Sequence, residues 1–194
     1  MDYKKSGELI SKARKEKGYT QREVADRLNV SDKAVSKWER GAGCPDVRIL
    51  NNLAEVLEID AKVLLSGIAS CNERDRGNLK SMRIYICPVC SNIITSTGTA
   101  EIACCGKKLK SSEIHKEDES HSIITQMIED EYYVRIDHPM TKEHYISFIC
   151  YVTCDKVNLI KLYPEQSCEI RIRKTGHGFI YAYCNEDGLF RKAI

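Results

Sequence analysis

The sequence predicts a multidomain chain, with an all-α domain of five helices, then a small four-cysteine metal module, then an all-β sandwich. Three observations lead to this. Apolar residues recur at helical spacing as far as residue 66. After Ile84, β-branched and aromatic residues take over with partial alternation. Between the two patterns, four cysteines stand at metal-ligand spacing.

Leu9, Ile10 and Ala13 give the first helix its apolar stripe, and Gly18 ends it. Thr20 with Glu23 three residues on is a capping box, after which Val24, Ala25 and Leu28 face inward. Ser31 caps a third helix with Ala34, Val35 and Trp38 inside. Gly41, Gly43 and Pro45 break the chain. Asp46 starts a fourth helix carrying Ile49, Leu50, Leu53, Ala54 and Leu57, and Asp60 caps a short fifth. Residues 68–83 lack sustained periodicity and read as a linker. Segments 132–137, 144–152, 157–163, 169–173 and 179–184 read as strands, and their short spacing suggests an antiparallel sandwich or barrel.

Composition excludes several function classes. With 30% charged and 42% hydrophobic residues the chain has the make-up of a soluble globular protein. No apolar run approaches the roughly 18 residues of a membrane span. The opening MDYKKSGELISKARKEKG lacks the apolar core of a secretory signal, so the expected location is cytoplasmic. Ten cysteines in a reducing compartment point to metal rather than disulfides. The net charge is +2, with 13 Lys and Arg against 11 Asp and Glu in residues 1–67 and 17 against 17 in the rest. Charge alone therefore does not identify a nucleic-acid partner, and the motif must do so.

Residues 20–41, TQREVADRLNVSDKAVSKWERG, resemble the lambda-repressor-like, or Xre/Cro, helix-turn-helix family, and the match extends over about residues 6–66. The resemblance implies a double-stranded DNA operator as partner, read by a homodimer, with helix 31–40 entering the major groove. The residues expected to meet DNA are Gln21, Asp32, Lys33, Ser36, Lys37 and Arg40. Lysines can meet guanine edges or phosphates, and Asp32 can accept from a cytosine amino group.

CPVC at 87–90 followed by CC at 104–105 supplies Cys87, Cys90, Cys104 and Cys105. CxxC places two thiolates on one turn, and a second pair completes a tetrahedron. The arrangement resembles desulforedoxin and the N-terminal module of desulfoferrodoxin, in which the ion is iron; a sulfur tetrahedron equally suits zinc.

Residues 113–194 resemble the catalytic domain of desulfoferrodoxin and neelaredoxin, the superoxide reductases, through HPMTKEHYI at 138–146 and CNEDGLF at 184–190. The resemblance implies an immunoglobulin-like sandwich holding iron by four histidine nitrogens in a plane and one axial cysteine. His138 and His144 match two of the histidines, His121 is the third, and Cys184 matches the cysteine. The family reads CNxHG where this chain has CNEDG, so Asp187 stands in place of the fourth histidine. Glu119 matches a catalytic glutamate, but the lysine that usually follows it is Ser120 here. Both departures bear on reductase chemistry. His115 and His177 read as solvated or structural. Cys150 and Cys154 read as small packing residues, with Cys44, Cys71 and Cys168 in the same class.

The expected domains are 1–67 for DNA binding, 68–83 as linker, 84–112 as the four-cysteine module and 113–194 as the sandwich. The expected function is a sequence-specific transcriptional regulator with a metal-binding domain that senses redox state or iron. The alternatives are a superoxide reductase carrying a DNA-binding domain, and a regulator whose β domain serves only dimerisation.

Overall fold

In a computed structural model, residues 2–69, 71–72 and 78–194 are described, and the chain divides into two compact units, Met1–Cys71 and Asn72–Ile194.

The first unit contains α1 (Tyr3–Glu16), α2 (Gln21–Leu28), α3 (Asp32–Glu39), α4 (Val47–Leu57) and α5 (Ala61–Ser66). Each begins where a short polar side chain accepts a hydrogen bond from an otherwise unpaired N–H: Asp2, Thr20, Ser31, Asp46 and Asp60 respectively. Thr20 and Glu23 complete the expected capping box. Their inner faces bury Ile10, Val24, Ala25, Val35, Trp38, Leu50, Leu53, Leu57 and Leu64 in one core. Leu9, Ala34 and Ile49, expected inside, are half-buried.

Two features join the first three helices. Gly7 on α1 faces the end of α3, where a Cβ would fall within contact distance of the Trp38 and Glu39 carbonyls, so no larger residue fits. Beside it, Arg14 donates to both carboxylate oxygens of Glu39, from Nε at 2.5 Å and Nη2 at 3.1 Å, and Gln21 Nε2 donates to Glu39 Oε2 at 2.7 Å. The side chains of Arg14 and Glu39 are only 12% and 6% exposed.

The second unit opens with a short 3-10 turn, Leu79–Ser81. Two hairpins follow, β1 (Arg83–Ile86) with β2 (Ile93–Ser96), and β3 (Ile102–Cys104) with β4 (Lys107–Leu109). Eight more strands follow: β5 (Ile114–His115), β6 (Ile123–Ile128), β7 (Glu131–Ile136), β8 (Ile146–Val152), β9 (Val157–Lys161), β10 (Glu169–Arg173), β11 (Phe179–Cys184) and β12 (Gly188–Ala193). They form a five-stranded sheet, β5-β12-β11-β8-β9, and a three-stranded sheet, β10-β7-β6. Pairing is antiparallel except for β5 with β12. The inner core includes Ile123, Val134, Ile149, Tyr151, Leu162, Ile170, Ile180, Ala182 and Phe190. A second core lies on the outer face of the larger sheet, where Met82 and Ile84 pack on Phe148, Cys150, Val152, Tyr181 and Leu189.

Of the stretch read as a linker, residues 70 and 73–77 lie outside the described residues, whereas Met82 is buried. Cys150 and Cys168 are buried as expected, but Cys44, Cys71 and Cys154 are exposed. Cys154 lies just beyond the end of β8, where the alternation that buries Cys150 has ceased; Cys44 and Cys71 lie between elements and face no core.

Burial opposes ionisation of Glu39, but donation from Arg14 and Gln21 outweighs it and holds the carboxyl below its ordinary value of 4.5. Replacing Glu39 with alanine strands a largely buried guanidinium and should destabilise the helical unit by about 3 kcal/mol, measured by urea unfolding. Acid should act in the same direction. A lowered carboxyl pKa contributes stability that is complete above pH 4.5 and is lost as the pH falls below it. A Glu39→Ala protein with unchanged stability at neutral pH would refute this role.

Candidate functional site

The chain brings three groups of side chains together. On the first unit, Gln21, Asp32, Lys33, Ser36, Lys37 and Arg40 line one shallow cavity of 440 Å³. Asp32, Lys33, Lys37 and Arg40 are exposed, and Ser36 and Gln21 half-buried. The Gln21 amide donates to Glu39, so its orientation is fixed by the same carboxylate that holds Arg14. Sequence reading missed the Arg14–Glu39 pair, since residues 25 apart carry no local signal of contact.

In the hairpins, Cys87 follows β1, Cys90 lies in the β1–β2 turn, and Cys104 and Cys105 lie at the β3–β4 turn. Successive residues of a regular strand point to opposite faces. Here Cys105 takes a left-handed conformation, φ 49°, followed by Gly106 at 73°, and both sulfurs reach one site. The four Sγ atoms lie within 4.8 Å of one another, with Cys90 to Cys104 at 3.6 Å and Cys104 to Cys105 at 3.9 Å. An ion bound tetrahedrally at about 2.3 Å from each sulfur needs edges of about 3.8 Å, so the set fits such an ion.

The N–H groups of Cys90 and Val89 lower the Cys87 thiol to about 6. Hydrogen bonding with Cys90, then with Cys104, pushes Cys105 up to about 12, and Cys104 is raised chiefly by Cys90. One thiolate is favoured there, and a further one is opposed unless a cation replaces the protons.

At one end of the sandwich, His121 (before β6), His138 (after β7), His144 (before β8), Cys184 (the end of β11) and Asp187 (the β11–β12 turn) place their donor atoms within 4.8 Å of one another. Asp187 Oδ2 lies 2.8 Å from His144 Nε2 and 3.2 Å from His121 Nε2, and the Nε2 atoms of His144 and His138 are 3.1 Å apart. Donors about 2.1 Å from one ion and at right angles to each other are about 3 Å apart. The donor atoms of His138, His144, Asp187 and His121 therefore follow one another at spacings of 3.1, 2.8 and 3.2 Å, short enough to share one ion. Cys184 Sγ stands 3.0 Å from His144 Nε2 and 3.4 Å from Asp187 Oδ2, close enough to be a further donor to the same ion.

A β-bulge contributes to this. Between Tyr183 and Cys184 the register with β8 shifts so that Cys184 faces Ile146, skipping Ser147, and both turn inward. His121 is buried, stacked on Phe190 at 4.0 Å between centroids, and its Nδ1 lies 2.8 Å from Asp118 Oδ1. That carboxylate fixes the tautomer and leaves the Nε2 lone pair facing the cluster. Nε2 is buried without a hydrogen bond; its 3.2 Å approach to Asp187 lacks hydrogen-bond geometry. A buried ring nitrogen without a hydrogen bond, within 4.8 Å of four other donor atoms, fits a metal ion.

Burial first, then neighbouring His144 and His121, push His138 down to about 4 against the opposing pull of Asp187, which keeps it neutral and able to ligate. Hydrogen bonding with Cys184, then with His144, holds the Asp187 carboxyl below its ordinary value. Burial raises the Cys184 thiol.

Glu119 is exposed and outside the cluster, as are His115 and His177. Two positioning residues escaped the sequence reading. Asp118, three residues before His121, was visible only as one of several nearby acids. Asn185 accepts from Tyr145 N–H at 2.7 Å and donates to the Glu143 carbonyl at 2.5 Å, tying the β11–β12 turn to the segment bearing His144.

Known proteins resemble both units of the chain. The helix-turn-helix family model HTH_3 matches residues 10–64. A desulfoferrodoxin homolog of Archaeoglobus fulgidus is 32% identical over 120 residues, covering 57% of this chain and 95% of the relative. The HTH-type transcriptional activator BcrR of Enterococcus faecalis is 35% identical over 82 residues; the match covers 41% of this chain and only 40% of that protein's length. The superoxide reductase of Treponema pallidum shares the fold, with a TM-score of 0.53 and 21% identity over 58% of this chain and 98% of that one.

The two clusters should respond differently to substitution. Serine at Cys87 or Cys105 removes one of four sulfurs and should abolish metal retention at that cluster and loosen the hairpins, read by metal analysis and limited proteolysis. Asp187→His should raise iron retained per chain at the histidine cluster, because an imidazole there would add a fourth nitrogen donor of a kind that suits Fe(II). Equal iron in parent and variant would show that Asp187 does not set the affinity.

Proposed function

This chain belongs to the desulfoferrodoxin family and carries a helix-turn-helix domain at its N-terminus, and from that premise we propose that it is a sequence-specific DNA-binding transcriptional regulator whose C-terminal part binds metal and senses iron or redox state. Residues 1–67 serve as the DNA-binding domain, 68–83 as linker, 84–112 as the four-cysteine module and 113–194 as the superoxide reductase-like sandwich.

The observation that carries the reading is the single concave face made by Gln21, Asp32, Lys33, Ser36, Lys37 and Arg40. It lies along α3 with α2 beside it, the arrangement in which one helix enters the major groove while its predecessor crosses the backbone. Lys33 and Lys37 are one turn apart and exposed, suited to base edges or phosphates. The partner is a double-stranded operator bound by a homodimer, since one small domain makes few base contacts.

In the C-terminal part the four-cysteine cluster holds iron or zinc and the histidine cluster holds iron, through His121, His138, His144, Cys184 and Asp187. Iron supplies one-electron redox chemistry there; the residues fix its donors and charge. Asp187 adds a carboxylate to the thiolate of Cys184, which makes the site more negative than four imidazoles would. An anionic substrate is disfavoured accordingly, and no lysine compensates at Ser120. This favours sensing over turnover. The convergence of three histidines and Cys184 supports the second reading, a superoxide reductase with a DNA-binding domain and Glu119 as an acid near the site. High superoxide reduction by the unmodified protein would establish that reading instead.

Alanine at both Lys33 and Lys37 should weaken operator binding by about 1–3 kcal/mol per lost base contact without unfolding the protein, read by footprinting and circular dichroism. The parent should protect two half-sites about 34 Å apart, one helical turn. A double variant that protects the same operator with equal affinity would rule out α3 as the reading element.

A further inference from the structure

A cavity of 240 Å³ lies between the outer face of the five-stranded sheet and the segments leading into β1 and β5. Its floor is apolar, made of the buried Met82, Ile84 and Leu189 with the ring of Tyr181. Its rim carries Lys80, Arg83 and Arg191 together with Ser81, Ser111 and Ser112. We propose that this cavity is a binding site for a small oxyanion of the phosphate class, held by Lys80, Arg83 and Arg191.

Among the described residues no carboxylate lines the cavity, and none of the three cations has a carboxylate partner. Three like charges around one small space repel one another unless an anion joins them. An overall basic excess does not explain the grouping, because residues 68–194 carry equal numbers of basic and acidic side chains.

Two of the cations are already oriented. The Arg191 guanidinium lies 4.6 Å from the Phe179 ring centroid, and Arg191 pairs with Tyr181 across the β-ladder. Arg83 Nη1 donates to Thr99 Oγ1 at 3.0 Å. Each guanidinium keeps further N–H groups, in the planar fork that suits phosphate oxygens. The serines divide by role. Ser81 spends its proton on the Asn78 carbonyl at 3.1 Å, and the Ser112 N–H goes to the Ile84 carbonyl at 2.8 Å. The hydroxyls of Ser111 and Ser112 remain as donors.

The volume is below the roughly 300 Å³ at which pockets for drug-sized ligands begin, which selects phosphate or a short phosphomonoester over a nucleotide. Because β1 forms one wall and β11 and β12 the other, an occupant bridges the hairpin to the sandwich. The site involves none of the metal-cluster or DNA-facing residues, so its failure and theirs are separable.

Titration calorimetry of the full-length protein with inorganic phosphate, against chloride at matched ionic strength, should show saturable binding to phosphate alone. A Lys80→Ala, Arg191→Ala double variant should bind about a hundredfold more weakly or worse, since each of the two charged hydrogen bonds lost is worth at least about a factor of ten. Because Arg191 also covers Phe179, Lys80→Ala with Arg191→Lys serves as a second variant that keeps the stacked charge; it too should bind more weakly than the parent. Heat from phosphate equal to that from chloride, or double variants that bind like the parent, would overturn the proposal. Loss of the phosphate signal on adding a non-operator duplex would also overturn it, by assigning the rim to nucleic-acid backbone.

Discussion

Strand β8 has almost no polar face. Six of its seven residues are buried, because Ile149 and Tyr151 enter the core between the sheets while Phe148, Cys150 and Val152 enter the core on the other side. A strand buried on both faces must be covered on both, so the three-stranded sheet on one side and the segment leading into β1 on the other follow from it. At roughly 1.5–3 kcal/mol for each fully buried large apolar side chain, β8 is among the strongest apolar contributors in this unit. It also positions the chemistry. His144 sits just before it, and its bulge turns Cys184 and Ile146 inward together.

The geometry of the candidate metal cluster therefore rests on a packed frame, with the donors at strand ends and turns. Asp118 and Asn185 complete it by fixing one ring and one turn. The local electrostatics match this placement. His138 is kept neutral by burial and by its neighbours, while Asp187 stays ionised. Three imidazoles beside a carboxylate and a thiol form a donor set for a cation, and once that thiol ionises the set carries more negative charge than imidazoles and one thiolate alone would bring.

In the helical unit the corresponding element is Glu39. It closes α3, accepts from Arg14 on α1 and from Gln21 on α2, and so couples the packing of three helices to the orientation of the face that Lys33 and Lys37 share. Gly7 allows α1 to approach closely enough for that network to form.

The sequence by itself determined the local features. The capping box at Thr20 and Glu23, the caps at Ser31, Asp46 and Asp60, the alternation in β10 and β11 and the pairing of cysteines at 87–90 and 104–105 depend on residues a few positions apart, and all could be read from one stretch of chain. So could the grouping of Asp32, Lys33, Ser36 and Lys37, since helical spacing alone places them on one face. Tertiary structure decided what spans long separations. The Arg14–Glu39 pair bridges 25 residues and the His144–Asp187 contact 43. Strands β6 and β12 lack a strong period and exist through pairing with β7 and β11. Burial of Cys150 against exposure of Cys154 followed from where β8 ends, because which cysteine faces a core is set by the neighbouring sheet rather than by the residue. The position of Asp187 within the donor cluster likewise required the fold. A sequence records that a carboxylate stands where a histidine is expected, but only packing shows that its oxygen reaches the same point.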